Sequence, residues 1–142
     1  MNGNDTPNLQ PIAMLPTIAE LIDGHYADSV EFVPITREAL ARPHVMDDSS
    51  VDHMERAYNE HVRWIEVYRA QLAYWRSGSL TTGQRSEVDR LVGVVDADSA
   101  IVDEILKSAA VIRAGTIERI MSKSDLELGM DALARAMHGD SR

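Results

Sequence analysis

The feature that most constrains the fold is a pair of long apolar stripes with helical spacing, separated by a short polar turn. Residues step by three and four positions over 51–75 and again over 88–112. This 3-4 repeat places each set on one face of a helix. Between them, 77–83 reads SGSLTTG, and Thr81 with Gln84 has the capping-box pattern that begins a helix. We therefore expect two long helices folded back as an antiparallel hairpin. The two stripes are Val51, Met54, Tyr58, His61, Ile65, Tyr68, Leu72 and Trp75, and Val88, Leu91, Val95, Asp98, Val102, Ile105, Ala109 and Ile112.

Shorter helices are predicted on either side of this hairpin. A capping box at Thr17 begins a first helix, which Pro34 ends or kinks because proline cannot donate the helical hydrogen bond. Gly115 fits a C-cap for the second long helix, and one or two short helices follow with an apolar stripe over 126–137. These elements predict an all-α fold that resembles a four-helix bundle, with the shorter helices packed on the hairpin.

Length and composition support one helical domain. The chain has 142 residues, and with one Phe its core depends on aliphatic residues and Met, which favours helices. Residues 1–11 are rich in Asn, Asp, Pro and Gln and are expected to be disordered, which leaves 12–142 as the domain. No secretory signal pattern or bilayer-length apolar run is present, so we expect a cytoplasmic protein without membrane contact.

Charge and cysteine content exclude several classes of function. The net charge is −9 without a compact basic block, which argues against direct nucleic-acid binding because phosphate contacts need clustered Lys and Arg. Cysteine is absent, which excludes disulfides, a thiolate nucleophile and Cys-ligated zinc. No phosphate-binding glycine loop or Glu-x-x-His metal motif occurs either. We therefore predict no catalytic residue, metal ligand or cofactor site.

One polar residue stands in each apolar stripe, His61 in the first and Asp98 in the second. Standard antiparallel pairing puts Ile65 opposite Asp98 and His61 beside Val102, whereas a register closer to the turn puts His61 directly opposite Asp98. A buried carboxylate needs a hydrogen-bond donor, and an imidazole can supply one. We therefore predict that His61 and Asp98 form a structural buried polar pair that fixes the register of the hairpin.

Two other interpretations of this pair stay open. One partner can be solvent-exposed, or the pair can be reactive, because a His with an Asp resembles part of a catalytic triad or a metal ligand with its supporting carboxylate. Under the last interpretation the protein is a helical-bundle enzyme or metal carrier with a site near His61. The scattered histidines lack metal-ligand spacing, so this is the alternative and not the main prediction.

A second apolar stripe gives the main functional prediction. Trp64, Val67 and Tyr74 lie about a third of a turn from the first stripe, with a weaker counterpart at Val94 and Ile101. Either the terminal helices cover these residues, or part of the stripe is an interface, since Trp and Tyr are favoured in binding hot spots. We expect a non-enzymatic interaction module (an adaptor, regulator or inhibitor) that binds an unidentified protein partner or forms a homodimer through a helical face.

Overall fold

The computed structural model describes residues 8–42 and 45–139, and its regular structure there is entirely helical. A short 3-10 helix, Ile12–Met14, precedes three long helices: α1 (Leu15–Ala41), α2 (Asp48–Arg76) and α3 (Thr82–Gly139). The all-α prediction is confirmed for these ranges. The four-helix-bundle-like arrangement is not confirmed, because the described chain forms three long helices and no separate short tail helix.

Side-chain caps explain where α2 and α3 begin. Asp47 precedes α2, and its carboxylate accepts a hydrogen bond from the Ser50 amide at 2.8 Å. Before α3, the Gln84 amide donates to the Thr81 hydroxyl at 3.1 Å, and the Thr81 amide donates to the Gln84 side chain at 2.9 Å. The predicted capping box at Thr81 is therefore confirmed, and it satisfies amides that an α-helix leaves unpaired at its N-terminus.

Helix α1 differs from its prediction at its start. It begins at Leu15, so that Thr17 lies inside the helix and does not cap it. The helix continues through Pro34 to Ala41, which excludes one of the two outcomes predicted at this proline, the end of the helix. Proline removes one backbone hydrogen bond, but its neighbours Val33 and Thr36 are buried. We infer that this tertiary packing outweighs the local cost of the proline.

Helix α3 is a single element of 58 residues, and the predicted C-cap at Gly115 is wrong. A glycine C-cap needs the left-handed conformation, and no glycine in the described ranges has a positive φ. Gly115 therefore continues the helix. At 1.5 Å per residue, α3 is about 87 Å long, far longer than α1 or α2.

Ion pairs show that α2 and α3 run in opposite directions. Near the turn, Arg76 of α2 pairs with Asp89 of α3 at 3.0 Å. Towards the other end of α2, Asp52 pairs with Arg113. Residue numbers rise along one helix as they fall along the other. The two apolar stripes face each other, because His61 of the first contacts Asp98 of the second.

Helix α1 runs in the same direction as α3. Asp23 of α1 pairs with Arg90 at 2.9 Å, and Arg37, further along α1, pairs with Glu104 at 3.1 Å. The three helices therefore alternate in direction along the chain. Their core contains every apolar member of both predicted stripes. These are Val51, Met54, Tyr58, Ile65, Tyr68, Leu72 and Trp75 of α2, and Val88, Leu91, Val95, Val102, Ile105, Ala109 and Ile112 of α3.

The chain before α1 is attached to α2 at Gln10. Its amide donates to the Gln71 side chain at 2.7 Å, and its carbonyl accepts hydrogen bonds from Gln71 at 3.1 Å and from Trp75 Nε1 at 2.8 Å. Residues 1–7 of the segment predicted to be disordered lie outside the described part of the chain. Gln10 itself has the buried Gln71 and Trp75 as partners.

The last part of α3 projects beyond the other two helices. Arg113 pairs with Asp52 and Glu55, which lie in the first turns of α2, and α3 continues after it to Gly139. We call residues 116–139 the α3 extension. Three of its apolar side chains are 61–68% exposed. They are Met130, Leu133 and Met137.

Candidate functional site

The structure brings His61 and Asp98 together between α2 and α3. His61 Nε2 lies 2.6 Å from Asp98 Oδ2, a short hydrogen bond of the kind that a carboxylate acceptor favours. The side chains are only 10% and 4% exposed. His61 therefore faces Asp98 directly, which is the register closer to the turn of the two that the sequence allows.

Only one oxygen of the Asp98 carboxylate has a hydrogen-bond partner. The other, Oδ1, is buried and accepts no hydrogen bond from the described residues. A buried acceptor without a partner is unfavourable, since it has lost its hydration without replacement. The contact with His61 is therefore the main compensation for burying this carboxylate.

A second imidazole, His25 of α1, lies next to His61. The ring centroids are 4.8 Å apart, and His25 Nδ1 is 3.0 Å from the Tyr68 hydroxyl. Sequence reasoning missed His25 as a site residue. The signal that pointed to a position near the core is that His25 follows the predicted core residue Ile22 by three residues, which places the two on one face of α1.

Burial determines the electrostatics of this cluster. It lowers the pKa of His25, and the neighbouring His61 lowers it further, while Asp98 and Asp28 act in the opposite direction. Burial also raises the pKa of both Tyr58 and Tyr68 to about 12. Both phenols therefore keep their protons at neutral pH, and the Tyr68 hydroxyl is able to donate to His25.

An open cleft of about 310 Å³ lies beside this cluster, between α1 and α2. Four rings and two carboxylates line it, together with Ala57. The rings are His25, Tyr58, His61 and Trp64, and the carboxylates are Asp28 and Glu60. The lining contains no Lys or Arg and no Ser, Thr or Cys. The cleft therefore offers aromatic surface and negative charge, but no hydroxyl or thiol nucleophile other than the Tyr58 phenol.

The cleft does not form a recognisable metal centre. Within the described ranges, no three His, Asp or Glu side chains are arranged to hold a metal ion. Structural zinc sites use four ligands and catalytic ones three plus water. His25 and His61 therefore do not make a protein metal site of either kind by themselves.

The predicted interaction surface is divided between two environments. Trp64, Val67 and Tyr74 of α2 are 43–51% exposed, and Trp64 also contacts the ring of His25 at a centroid distance of 6.0 Å. Large apolar side chains with this exposure are available to a partner.

Val94 and Ile101, the other half of that predicted surface, are partly buried against the core. Val94 lies four residues after Arg90, and Ile101 lies three residues before Glu104. Arg90 and Glu104 of α3 both pair with residues of α1. Helical spacing puts all four on the side of α3 that faces α1. Val94 and Ile101 are therefore less available to a partner than the three α2 residues.

Comparison with known proteins gives no family for this chain. No protein-family model matches it, and searches of curated proteins and of solved structures find no significant match. In the described part of the chain, none of the helices has the length and apolarity needed to cross a bilayer.

Proposed function

We propose that the protein is a non-enzymatic helical interaction module that forms a homodimer through the α3 extension. The observation that supports this most directly is the exposure of Met130, Leu133 and Met137 on a helix that projects beyond the bundle. Their spacing of three and four residues places them on one face. Contiguous exposed apolar surface on a protein of this kind indicates a site of association.

The heptad phase of α3 supports the same conclusion. Met130 and Met137 follow Val88 by multiples of seven residues, and Leu133 follows Leu91 by a multiple of seven. Val88 and Leu91 are buried in the three-helix bundle. The extension therefore repeats, in the same heptad phase, the pattern that packs against other helices inside the bundle.

Charge favours a second copy of the chain as the partner. The extension has three basic and four acidic residues, so it carries a net charge of −1 out of the −9 of the whole protein. Two extensions can therefore associate with little repulsion, whereas two bundles repel each other. Gly129, Ala134 and Ala136 flank the apolar face and allow a second helix to approach closely. A two-fold arrangement is the commonest form of such a homodimer.

Light scattering coupled to gel filtration tests the proposal. At micromolar concentration the full chain should have twice the mass of one chain, and Leu133→Glu should reduce it to one. Val111→Glu is the matched control, because Val111 is equally exposed on α3 but lies before the extension. A monomer that stays monomeric on concentration would refute the dimer.

The exposed α2 residues define the competing surface. If Trp64→Glu dissociates the dimer and Leu133→Glu does not, the interface lies on the aromatic stripe of α2 and not on the extension. Both surfaces agree with an interaction module, so this pair of variants locates the interface. Circular dichroism must show that each variant keeps its helical content, since a substitution that unfolds the bundle also changes the apparent mass.

The alternative function is an enzyme or metal carrier that uses the bundle near His61. The observation in its favour is the second imidazole, because His25 lies beside His61 at the edge of an open cleft. Elemental analysis of the purified protein separates the metal-carrier form of this alternative from the interaction module. About one bound transition-metal ion per chain would favour the carrier.

A further inference from the structure

The geometry points to a binding site for a small organic cation in the cleft between α1 and α2, and we propose that it takes a quaternary ammonium group. The site is formed by the rings of His25, Tyr58, His61 and Trp64 and by the carboxylates of Asp28 and Glu60. It is separate from the α3 extension, so the proposal does not depend on the homodimer.

The charge of the cleft favours a cation. Asp28 and Glu60 are exposed, and neither forms an ion pair with a described residue. Elsewhere an arginine commonly neutralises such a carboxylate, as Arg90 does for Asp23. No Lys or Arg lines the cleft, so these two negative charges are uncompensated. An anionic ligand such as a phosphate ester would be repelled.

The two histidines do not cancel this negative charge. His61 is hydrogen-bonded to Asp98 at 2.6 Å, so that the pair has a net charge of −1 or zero, whichever protonation state His61 adopts. Burial lowers the pKa of His25, which keeps that ring neutral at pH 7 and above. The cleft therefore presents two neutral or charge-compensated imidazoles and two free carboxylates.

The aromatic rings provide surface that attracts a cation. Tyr58 and His61 are stacked, with centroids 5.7 Å apart and planes at 13°, while the rings of His25 and Trp64 meet edge to face at 6.0 Å. The faces of Trp and Tyr attract cations through their quadrupoles, and cages of such rings recognise quaternary ammonium groups. Trp64 is 43% exposed, so part of its ring is free for a ligand.

The size of the cleft restricts the ligand to a small molecule. Its volume of about 310 Å³ is at the lower end of the range for ligand pockets. The net charge of −9 also raises the local concentration of cations around the protein. A small quaternary ammonium compound combines this size with a single, weakly hydrated positive charge.

Titration with choline and with its uncharged isostere, 3,3-dimethylbutan-1-ol, tests the proposal on the full chain. The two compounds have nearly the same shape and differ in charge. Calorimetry should show saturable binding of choline, at least about tenfold tighter than binding of the alcohol, because cation–π attraction and the carboxylates act on the cation alone. Equal affinity for the two compounds, or no saturable binding of choline, would overturn the proposal.

Matched variants locate the bound cation. Trp64→Leu should weaken choline binding at least about tenfold, whereas Tyr74→Leu, which removes an exposed ring outside the cleft, should not. Asp28→Asn combined with Glu60→Gln should weaken it as well, whereas Glu66→Gln, an exposed carboxylate outside the lining, is the control. If Trp64→Leu alters the fold, the carboxylate variants decide. Equal effects of the cleft and control variants would show that choline binds elsewhere.

Discussion

Replacing His61 by alanine tests the role of the buried polar pair. The substitution removes the hydrogen bond to Asp98 Oδ2, and since Oδ1 already has no partner among the described residues, the whole carboxylate loses its compensation. Breaking a buried ion pair by removing one partner destabilises a protein by about 3–5 kcal/mol. His61 is 10% exposed and adjoins an open cleft, so some water can reach the site, and we expect a loss of about 3 kcal/mol.

Replacing Asp98 should be less harmful than replacing His61. Asp98→Ala leaves an imidazole that can remain neutral, and the remaining cost is an unsatisfied ring nitrogen, about 1–2 kcal/mol. The double variant His61→Leu with Asp98→Leu leaves no buried polar atom at this position. It should therefore recover much of the stability that either single change loses, because apolar replacements of a buried pair are often neutral or better.

Urea denaturation followed by circular dichroism measures these differences in unfolding free energy. The set should contain His61→Leu, Asp98→Leu and the double variant, so that the cycle isolates the coupling between the two side chains. We expect a coupling energy above about 1 kcal/mol. If the two single losses of unfolding free energy are additive and each is below about 0.5 kcal/mol, the contact contributes nothing to stability, and the expected role of the pair is refuted.

Three further predictions concern other parts of the bundle. The pKa of His25 is lowered from its ordinary 6.5, so as the pH falls His25 takes up a proton in the unfolded chain before it does so in the folded one. The free energy of unfolding should therefore decrease below about pH 6.5. Urea midpoints measured against pH should show this decrease, and His25→Gln should flatten it. Thr81→Ala should reduce the unfolding free energy by about 1 kcal/mol in the same assay, because the Gln84 amide loses its cap. Gln71→Leu should accelerate hydrogen exchange of the Gln10 amide, whose acceptor it removes, while unchanged exchange would show that this contact does not hold the segment.

The two central helices could be predicted because one strong signal specifies them. An unbroken 3-4 pattern over more than twenty residues is hard to produce by chance, and the Thr81 cap marks the start of α3. The same pattern selected His61 and Asp98, since a polar residue is conspicuous in an apolar stripe. Their 2.6 Å contact depends on the register of the two helices, which the sequence left open between two choices.

Two residues that disfavour a helix interior do not end a helix in this structure. Pro34 and Gly115 are such residues, yet α1 and α3 continue through them. At Pro34 the cost of one residue is small beside the burial of a whole helix face, which a single-residue signal does not measure. Gly115 follows the last pairing of α3 with α2, at Arg113, and its cost of about 1 kcal/mol relative to alanine is one that a long helix tolerates. His25 was missed for a related reason, since its partners Tyr68 and His61 come from another helix and no local pattern records them.

The sequence of α3 has two apolar segments along one continuous helix. Its 3-4 pattern is apolar to Ile112 except at Asp98, then polar at Thr116, Arg119 and Lys123, and apolar again over 126–137 in the same phase. The polar positions begin close to the level at which α2 begins, as the contact of Arg113 with Asp52 shows. A helix extension without a packing partner needs no apolar residues at the heptad positions that continue from Val88 and Leu91. The return of the pattern therefore argues for a partner beyond the bundle, which is what the Leu133→Glu variant tests.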